Sequence, residues 1–367
     1  MLDHTSSSSL AEDAPPAPET VRLQAQFHGR AGEYFRIWIV NLVLSILTLG
    51  IYSAWAKVRS ERYFYGNTRV DGSAFEYLAD PLRILKGRLI AYALVIVLVA
   101  SQHFLPLLYL LLALALFLCM PLIVFLSLRF RARYSAWRGL RFRFVGSAGE
   151  AYGPFLGWNI LSAITGSLLY PLMRRRQHQY MVDGHRFGSA AFRFHGDASG
   201  YYLPYLIALG AGVALMVLMV VAMVGLVVGA KVLGAEAGSA QQVLGSMIVV
   251  LMLAVYLSMF ALMALVHTRY TNLLWSNTRL QGGHRFECTL RVRDMLWIYA
   301  SNLVAILCTL GLATPWARVR LAHYRARHFA VLASGGVGGF MASVAGEQGA
   351  AGAELADALD IMGDIGF

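Results

Sequence analysis

The chain has 367 residues, of which 58% are hydrophobic and only 14% charged; a soluble domain carries about a quarter charged residues, so lipid rather than water is the expected solvent. The net charge of +11 does not point to nucleic acid, because basic residues in a membrane protein set topology or meet anionic lipid. Three cysteines, Cys119, Cys288 and Cys308, form no CxxC pair, so neither a disulfide framework nor a zinc site is indicated and no cofactor is expected.

Residues 1–24 are rich in Ser, Pro and Ala and lack the basic start and apolar core of a signal peptide, so they read as a disordered tail. Residues 25–330 read as one membrane domain built on an internal repeat. Its first unit, about 27–80, opens with Phe27-x-Gly29 and Glu33. An apolar segment follows, broken near Thr48 and Gly50, and the unit closes with Arg59 and Tyr63. The apolar stretch at about 84–128 is long enough for two helices of roughly 20 residues each and predicts a transmembrane hairpin. A second unit, about 144–197, repeats the pattern 117 positions on, with Phe144-x-Gly146, Glu150, Thr165, Arg176 and Tyr180. It departs in three places. Asn159 is one place out of register with Asn41, Gly166 falls one residue early, and Leu172 replaces Trp55. A second hairpin is expected at about 202–266. The third unit, about 286–328, carries Asp294, Asn302, Thr309, Gly311, Trp316, Arg320 and Tyr324. Residues 331–367 form a Gly/Ala-rich tail whose charges are all acidic, and it is the expected dock for a cytoplasmic protein partner.

The fold class implied is an all-α membrane protein with three-fold internal repetition: two transmembrane hairpins, three broken units and small cytoplasmic β-hairpins. The hairpins are suggested by strict alternation in Leu140-Arg-Phe-Arg-Phe144, Phe192-Arg-Phe194 and Leu290-Arg-Val-Arg293. Turn signals stand nearby at Asp71-Gly72, Asp183-Gly184 and Gly282-Gly283. Such hairpins would pair into a small layer with basic faces toward lipid headgroups.

Three stretches carry a resemblance to a known family: Thr48-Leu-Gly-Ile-Tyr-Ser-Ala-Trp-Ala-Lys-Val-Arg59, Arg62-Tyr-Phe-Tyr-Gly-Asn-Thr-Arg69, and Thr309-Leu-Gly-Leu-Ala-Thr-Pro-Trp-Ala-Arg-Val-Arg320. Over roughly residues 25 to 330 the chain resembles the YjgN family of bacterial inner-membrane proteins. The resemblance implies an inner-membrane location and lends no catalytic residue.

Basic residues cluster between the apolar segments, and each cluster is expected in the cytoplasm. If the three units enter and leave on the cytoplasmic side, only Lys231 lies outside, and the C-terminus is cytoplasmic. Full spanning by the units remains the alternative, since Arg36 to Ala56 is long enough to cross and Gly and Pro are common in transmembrane helices.

Three groups of residues are candidates for function. Glu33, Glu150 and Asp294 with Arg59, Arg176 and Arg320 form either a clamp inside each unit or part of a permeant pathway. Asn41, Ser45 and Thr48 fall at helical spacings of four and three, unit three keeps Asn302 and Thr309, and with Asn159 and Thr165 of unit two these serve either as interhelical glue or as a polar lining. Arg138, Arg141 and Arg143 lie in a stretch without acids that suits anionic headgroups. His178, His185 and His195 match no metal spacing, and no nucleophile elbow, P-loop, HExxH or dinucleotide fingerprint occurs. Catalysis is therefore not expected. The favoured reading is a scaffold binding anionic lipid and a cytoplasmic partner; the alternative is a transporter or channel for an anion or amphiphile.

Overall fold

A computed structural model describes residues 20–232 and 237–335, together with Gly338. Eleven helices alternate with short strands: β1 (Thr20–Gln24), β2 (Gln26–Phe27), α1 (Ala31–Leu47), α2 (Ser53–Asn67), β3 (Thr68–Val70), β4 (Ser73–Tyr77), α3 (Pro81–Phe104), α4 (Pro106–Arg133), β5 (Ser135–Trp137), β6 (Leu140–Phe144), α5 (Ala148–Tyr152), a π-turn (Gly153–Gly157), α6 (Trp158–Ile164), α7 (Tyr170–Asp183), β7 (His185–Phe187), β8 (Ala190–Phe194), α8 (Ala198–Val232), α9 (Ala237–Ser276), β9 (Thr278–Leu280), β10 (His284–Cys288), α10 (Val292–Cys308), α11 (Thr314–Arg327) and β11 (Phe329–Ser334).

The all-α expectation is overturned, because the strands form one eleven-stranded antiparallel sheet ordered β1-β11-β10-β9-β8-β7-β6-β5-β4-β3-β2. The first and last strands of that order, β1 and β2, are two halves of one segment bent at Ala25, whose N–H donates to the Phe329 carbonyl (3.0 Å). One half pairs with β11 and the other with β3. The sheet thus closes on itself, which is how a sheet of short strands avoids free edges. Tight two-residue turns make this possible. Asp71 and Gly72 (φ 50° and 70°) and Arg138 and Gly139 (51° and 78°) are all left-handed, the geometry that matches the twist of paired strands. Of the expected β segments, Leu140 to Phe144 and Phe192 to Phe194 are strands, but Leu290 to Arg293 runs into α10, and Asp183-Gly184 ends a helix rather than turning a hairpin.

The ring sets the topology of everything attached to it. Five backbone bonds recur at its rim, each from three residues before a helical pair to the residue at or just after its end: His28 to Asn67 (2.9 Å), Leu78 to Tyr134 (2.8 Å), Val145 to Gly184 (2.8 Å), His195 to Asn277 (2.9 Å) and Thr289 to His328 (3.0 Å). Every helical pair therefore starts and ends at one neck. The three units and the two long hairpins are equivalent in this respect, so the repetition is five-fold in structure although it is three-fold in sequence. Each helix or pair packs on its neighbours in chain order, and α1 packs on α11 to close the helical ring.

Length separates the two kinds of pair. Four helices, Pro81–Phe104, Pro106–Arg133, Ala198–Gly229 and Ile248–Ser276, are long and apolar enough to cross a membrane. In contrast α1 and α10 have 17 residues each, roughly 25 Å at 1.5 Å per residue, short of a hydrocarbon core of about 30 Å. Their tips carry leucines, Leu49 and Leu310, each 95% exposed.

The irregularities of unit two have structural causes. Its π-turn inserts one residue before Asn159 and shifts it out of register. The tip of every unit needs two consecutive left-handed residues: Leu49-Gly50, Gly166-Ser167 and Leu310-Gly311. Glycine relieves the strain at either place, so its displacement in unit two leaves the turn intact.

The tails need new boundaries. Residues 20–24, read as part of a disordered tail, form β1, and residues 331–334, read as the start of the acidic tail, lie within β11. Residues 1–19 and the acids from Glu347 to Asp364 lie outside the described residues.

Candidate functional site

Strand alternation divides the ring into two faces. Cross-strand register links Arg22 to Leu332, Leu332 to Arg285, Arg285 to Arg279, Arg279 to Arg193, Arg186 to Arg143, Arg141 to Ala136 and Arg69 to Ala74. All eight arginines of the strands share this face, against two acids, Glu76 and Glu287. The opposite face carries the aromatics, among them Phe75, Trp137, Phe142, Phe187, Phe192 and Phe286. Neighbours touch in series, with ring centroids 6.1 Å apart for Phe75 and Trp137, 4.9 Å for Phe142 and Phe187, and 6.0 Å for Phe192 and Phe286. Leu140, Phe187, Ala190 and Leu280 on the aromatic face are buried, whereas Arg69, Arg141, Arg143, Arg193, Arg279 and Arg285 are exposed.

Arginines directly opposite one another repel, yet Arg143 faces Arg186, and Arg279 faces both Arg193 and Arg285. Arg22 pairs with Glu287 (2.9 Å) and Arg138 with Asp71 (2.6 Å). Burial, helped by the charge of Arg193, pushes the Arg186 guanidinium below its ordinary value, with Asp183 opposing. The collar thus offers concentrated positive charge that the protein itself neutralises sparingly.

The three arginines expected to meet headgroups take different roles. Arg138 is committed to structure: its Nε donates to Ser73 Oγ (2.8 Å) and its Nη2 to Asp71 Oδ2 (2.6 Å), tying two neighbouring hairpins together. Arg143 Nη2 donates to the Gly188 carbonyl (3.2 Å). Arg141 is exposed and has no side-chain partner among the described residues.

The acids of the units do not pair with the arginines of the units. Glu33 accepts from the Tyr63 hydroxyl (3.3 Å) and Asp294 from that of Tyr324 (3.2 Å). The same hydroxyls bond the backbone of Arg30 and Arg291, pinning the start of each first helix to the second. Burial foremost, with contributions from the acids, raises both phenols above their ordinary value. Glu150 closes a capping box with Ser147, and burial followed by the Glu150 charge pushes Tyr180 up to about 12. Arg59 is exposed. Arg176 lies over Trp158 and donates to Gln179, while Arg320 lies over Trp316 and donates to Ser301 and Asn302.

The polar stripe bonds inside the units, apart from the buried Asn41 Oδ1, which has no partner among the described residues. Asn41 and Asn302 each donate across the pair, to the carbonyls of Ala56 (3.4 Å) and Ala317 (3.3 Å). Asn159 donates to Phe155 and accepts from Gln177. Thr48 and Thr309 accept the N–H groups of Tyr52 and Ala313 (both 2.9 Å), capping the second helix of the unit, and Thr165 donates to the Leu161 carbonyl. The histidines of unit two separate: His178 bonds Tyr201 (2.7 Å), His185 the Met181 carbonyl, and His195 is exposed.

Sequence reasoning placed Arg193 with Arg141 and Arg143 on a basic layer and missed Arg22, Arg69, Arg186, Arg279 and Arg285 as members of the same surface. The signal available was the alternation of Arg with Phe in four separate segments, which gains meaning only when the segments are paired.

A family model described as a bacterial protein of unknown function (DUF898) matches residues 22–358. The inner membrane protein YjgN of Salmonella typhimurium strain LT2 is 24% identical over 342 residues, covering 82% of this chain and 86% of that protein. YjgN of Escherichia coli O157:H7 is 33% identical over 119 residues, 32% of this chain and 30% of the relative. YjgN of Escherichia coli K12 is 49% identical over 51 residues, 14% of this chain and 13% of the relative. No solved structure matches the chain.

Proposed function

The chain belongs to the DUF898 family of bacterial proteins of unknown function, and we propose that it is a multi-pass inner-membrane scaffold whose β-ring lies in the cytoplasmic headgroup layer and holds anionic phospholipid. The names of its relatives and its four apolar helices support the location. That all helical pairs leave one ring carrying eight arginines supports a cytoplasmic ring by the positive-inside rule. In this reading the Thr20 to Ser334 pairing has both chain ends of the ring on that side as well. The short units enter the membrane from that side and return.

The observation that carries the proposal is the collar: eight strand arginines on one exposed face at the base of the apolar helices. The Asn and Thr side chains that would line a path are used in bonds within each unit, which weighs against transport. The reading is non-catalytic. A protein partner recruited by the acidic tail remains part of the proposal, on residues outside those described.

Changing Arg69, Arg141 and Arg285 together to Gln tests the collar in the full chain. Each juxtamembrane basic residue contributes about 1 kcal/mol toward anionic lipid, so the salt-sensitive loading of the collar with phosphatidylglycerol should weaken roughly 100-fold, with a smaller dependence on salt. Salt-sensitive loading equal in variant and parent would remove the basis of the scaffold reading.

A further inference from the structure

One cleft in the ring differs from its counterparts. It has a volume of 530 Å³ and lies in unit two between the π-turn, α7 and the β7–β8 hairpin. Arg176, Arg186 and Arg193 line it, with Glu150 and Asp183. Trp158 and the apolar π-turn form one wall. Its lining differs from the corresponding positions of units one and three. Counted by the repeat, Glu76 of unit one stands where unit two has Arg193, while Arg69 keeps the arginine of Arg186; in unit three Ala330 stands at that place. Helix α1 of unit one is regular where unit two has its π-turn, and such turns occur frequently at functional sites.

The donors are arranged for an anion. Arg186 uses Nη1 on the carbonyls of Asp183 (2.7 Å) and His185 (2.9 Å), which fixes the guanidinium without neutralising it. Arg193 has no side-chain partner among the described residues. Arg176 is held over the Trp158 ring, 5.9 Å from its centroid. Both acids are already engaged by backbone donors: Asp183 accepts the Phe194 N–H (2.8 Å) and Glu150 the Ser147 N–H (3.2 Å). Three guanidiniums facing one space are the arrangement that planar, multi-donor recognition of phosphate needs. The cleft also contains Val145 and Gly184, whose backbone bond closes the neck. It therefore sits where apolar helix gives way to charged ring.

We infer that this cleft binds a single phosphate group through Arg176, Arg186 and Arg193. The inference rests on the membrane placement proposed above. At that depth the phosphate comes from a phospholipid headgroup or from a soluble phosphate compound.

The test uses the delipidated full chain in detergent and native mass spectrometry, titrating short-chain phosphatidylglycerol in one arm and inorganic phosphate in the other. The parent is expected to take up one phosphatidylglycerol at concentrations below those that load the rest of the collar. The Arg193→Gln variant should lose roughly ten-fold or more in that affinity without a change in melting temperature, since Arg193 bonds no other side chain. The Arg69, Arg141 and Arg285 triple variant should lose only the later, salt-sensitive loading, so failure of the collar and failure of the cleft give different patterns. Uptake of phosphate that competes with the lipid identifies a soluble ligand; lipid uptake unaffected by phosphate identifies a headgroup; either supports the site. No stoichiometric uptake in either arm, or uptake unchanged by both Arg193→Gln and Arg186→Gln in folded protein, would overturn it.

Discussion

Tyr34→Ala is expected to destabilise the protein by about 3–5 kcal/mol, the range for removing a buried aromatic side chain. Tyr34 is 0% exposed and lies where α1 meets α11, the contact that closes the helical ring. Its ring stacks on Tyr63 (5.3 Å) and meets Phe64 edge-on (4.8 Å), and its hydroxyl accepts from Arg318 Nη1 (2.6 Å) on the last helix. Truncation opens a cavity and deprives that guanidinium of its acceptor. Tyr34→Phe keeps the packing and loses only the bond to a charged donor, about 1.5–3 kcal/mol. Thermal melts in detergent should rank parent, Phe and Ala in that order. An alanine variant as stable as the parent would mean that the α1–α11 contact does not hold the ring.

Acid should destabilise the protein through His178. This imidazole is 3% exposed, and it bonds the Tyr201 hydroxyl of α8 (2.7 Å). Burial first, and the charge of Arg174 on its own helix second, push its pKa down to about 3 from 6.5. The folded state thus resists a proton that the unfolded chain accepts. The neutral imidazole's contribution is fully present above pH 6.5 and declines as pH falls toward 3, by about 1.4 kcal/mol per pH unit. His178→Asn removes the titrating group, so its stability should fall less steeply between pH 6.5 and 4.5. His185, lowered chiefly by burial, leaves a residual slope in the variant. Identical slopes for variant and parent would contradict a neutral, buried His178.

What was legible in the sequence was local. The acid, the broken tip and the closing tyrosine of each unit recur because each acts within about thirty residues, as Glu33 does with Tyr63 and Asp294 with Tyr324. The residue after each acid, Tyr34, Ala151 or Met295, is 0% exposed in every case, so the repeat marks a buried register as well as a polar one. The sheet was legible only in pieces, as the alternation at Leu140 to Phe144 and Phe192 to Phe194; its extent and closure were not, because its strands have two to six residues and closure pairs Thr20 with Ser334 across the whole domain. The five-fold order was hidden for a related reason. The bonds that define it at His28, Leu78, Val145, His195 and Thr289 are backbone bonds, which constrain no side chain, and the motifs that the second hairpin shares with the units are short: Phe194-x-Gly196 repeats Phe27-x-Gly29 and Phe144-x-Gly146, and Asn277-Thr-Arg279 repeats Asn67-Thr-Arg69. Arg138 was misread because a residue in a basic cluster says nothing of the aspartate 67 positions away that holds it.

The central claim is that every helical pair leaves the ring and returns to it on one side of the membrane. Single cysteines replacing Thr20, Glu76, Arg141, Ser189 and Gln281, in a chain whose Cys119, Cys288 and Cys308 have been changed to serine, test it with a membrane-impermeant thiol reagent. Thr20 and Glu76 flank unit one, while Arg141 and Ser189 flank unit two. All five are expected to stay unlabelled in intact cells and to label once the inner membrane is opened. A cysteine replacing Leu105, in the turn between α3 and α4, should label in intact cells. Labelling of Glu76→Cys but not Thr20→Cys, or of Ser189→Cys but not Arg141→Cys, in intact cells would mean that a unit crosses the membrane, and would contradict the closed ring.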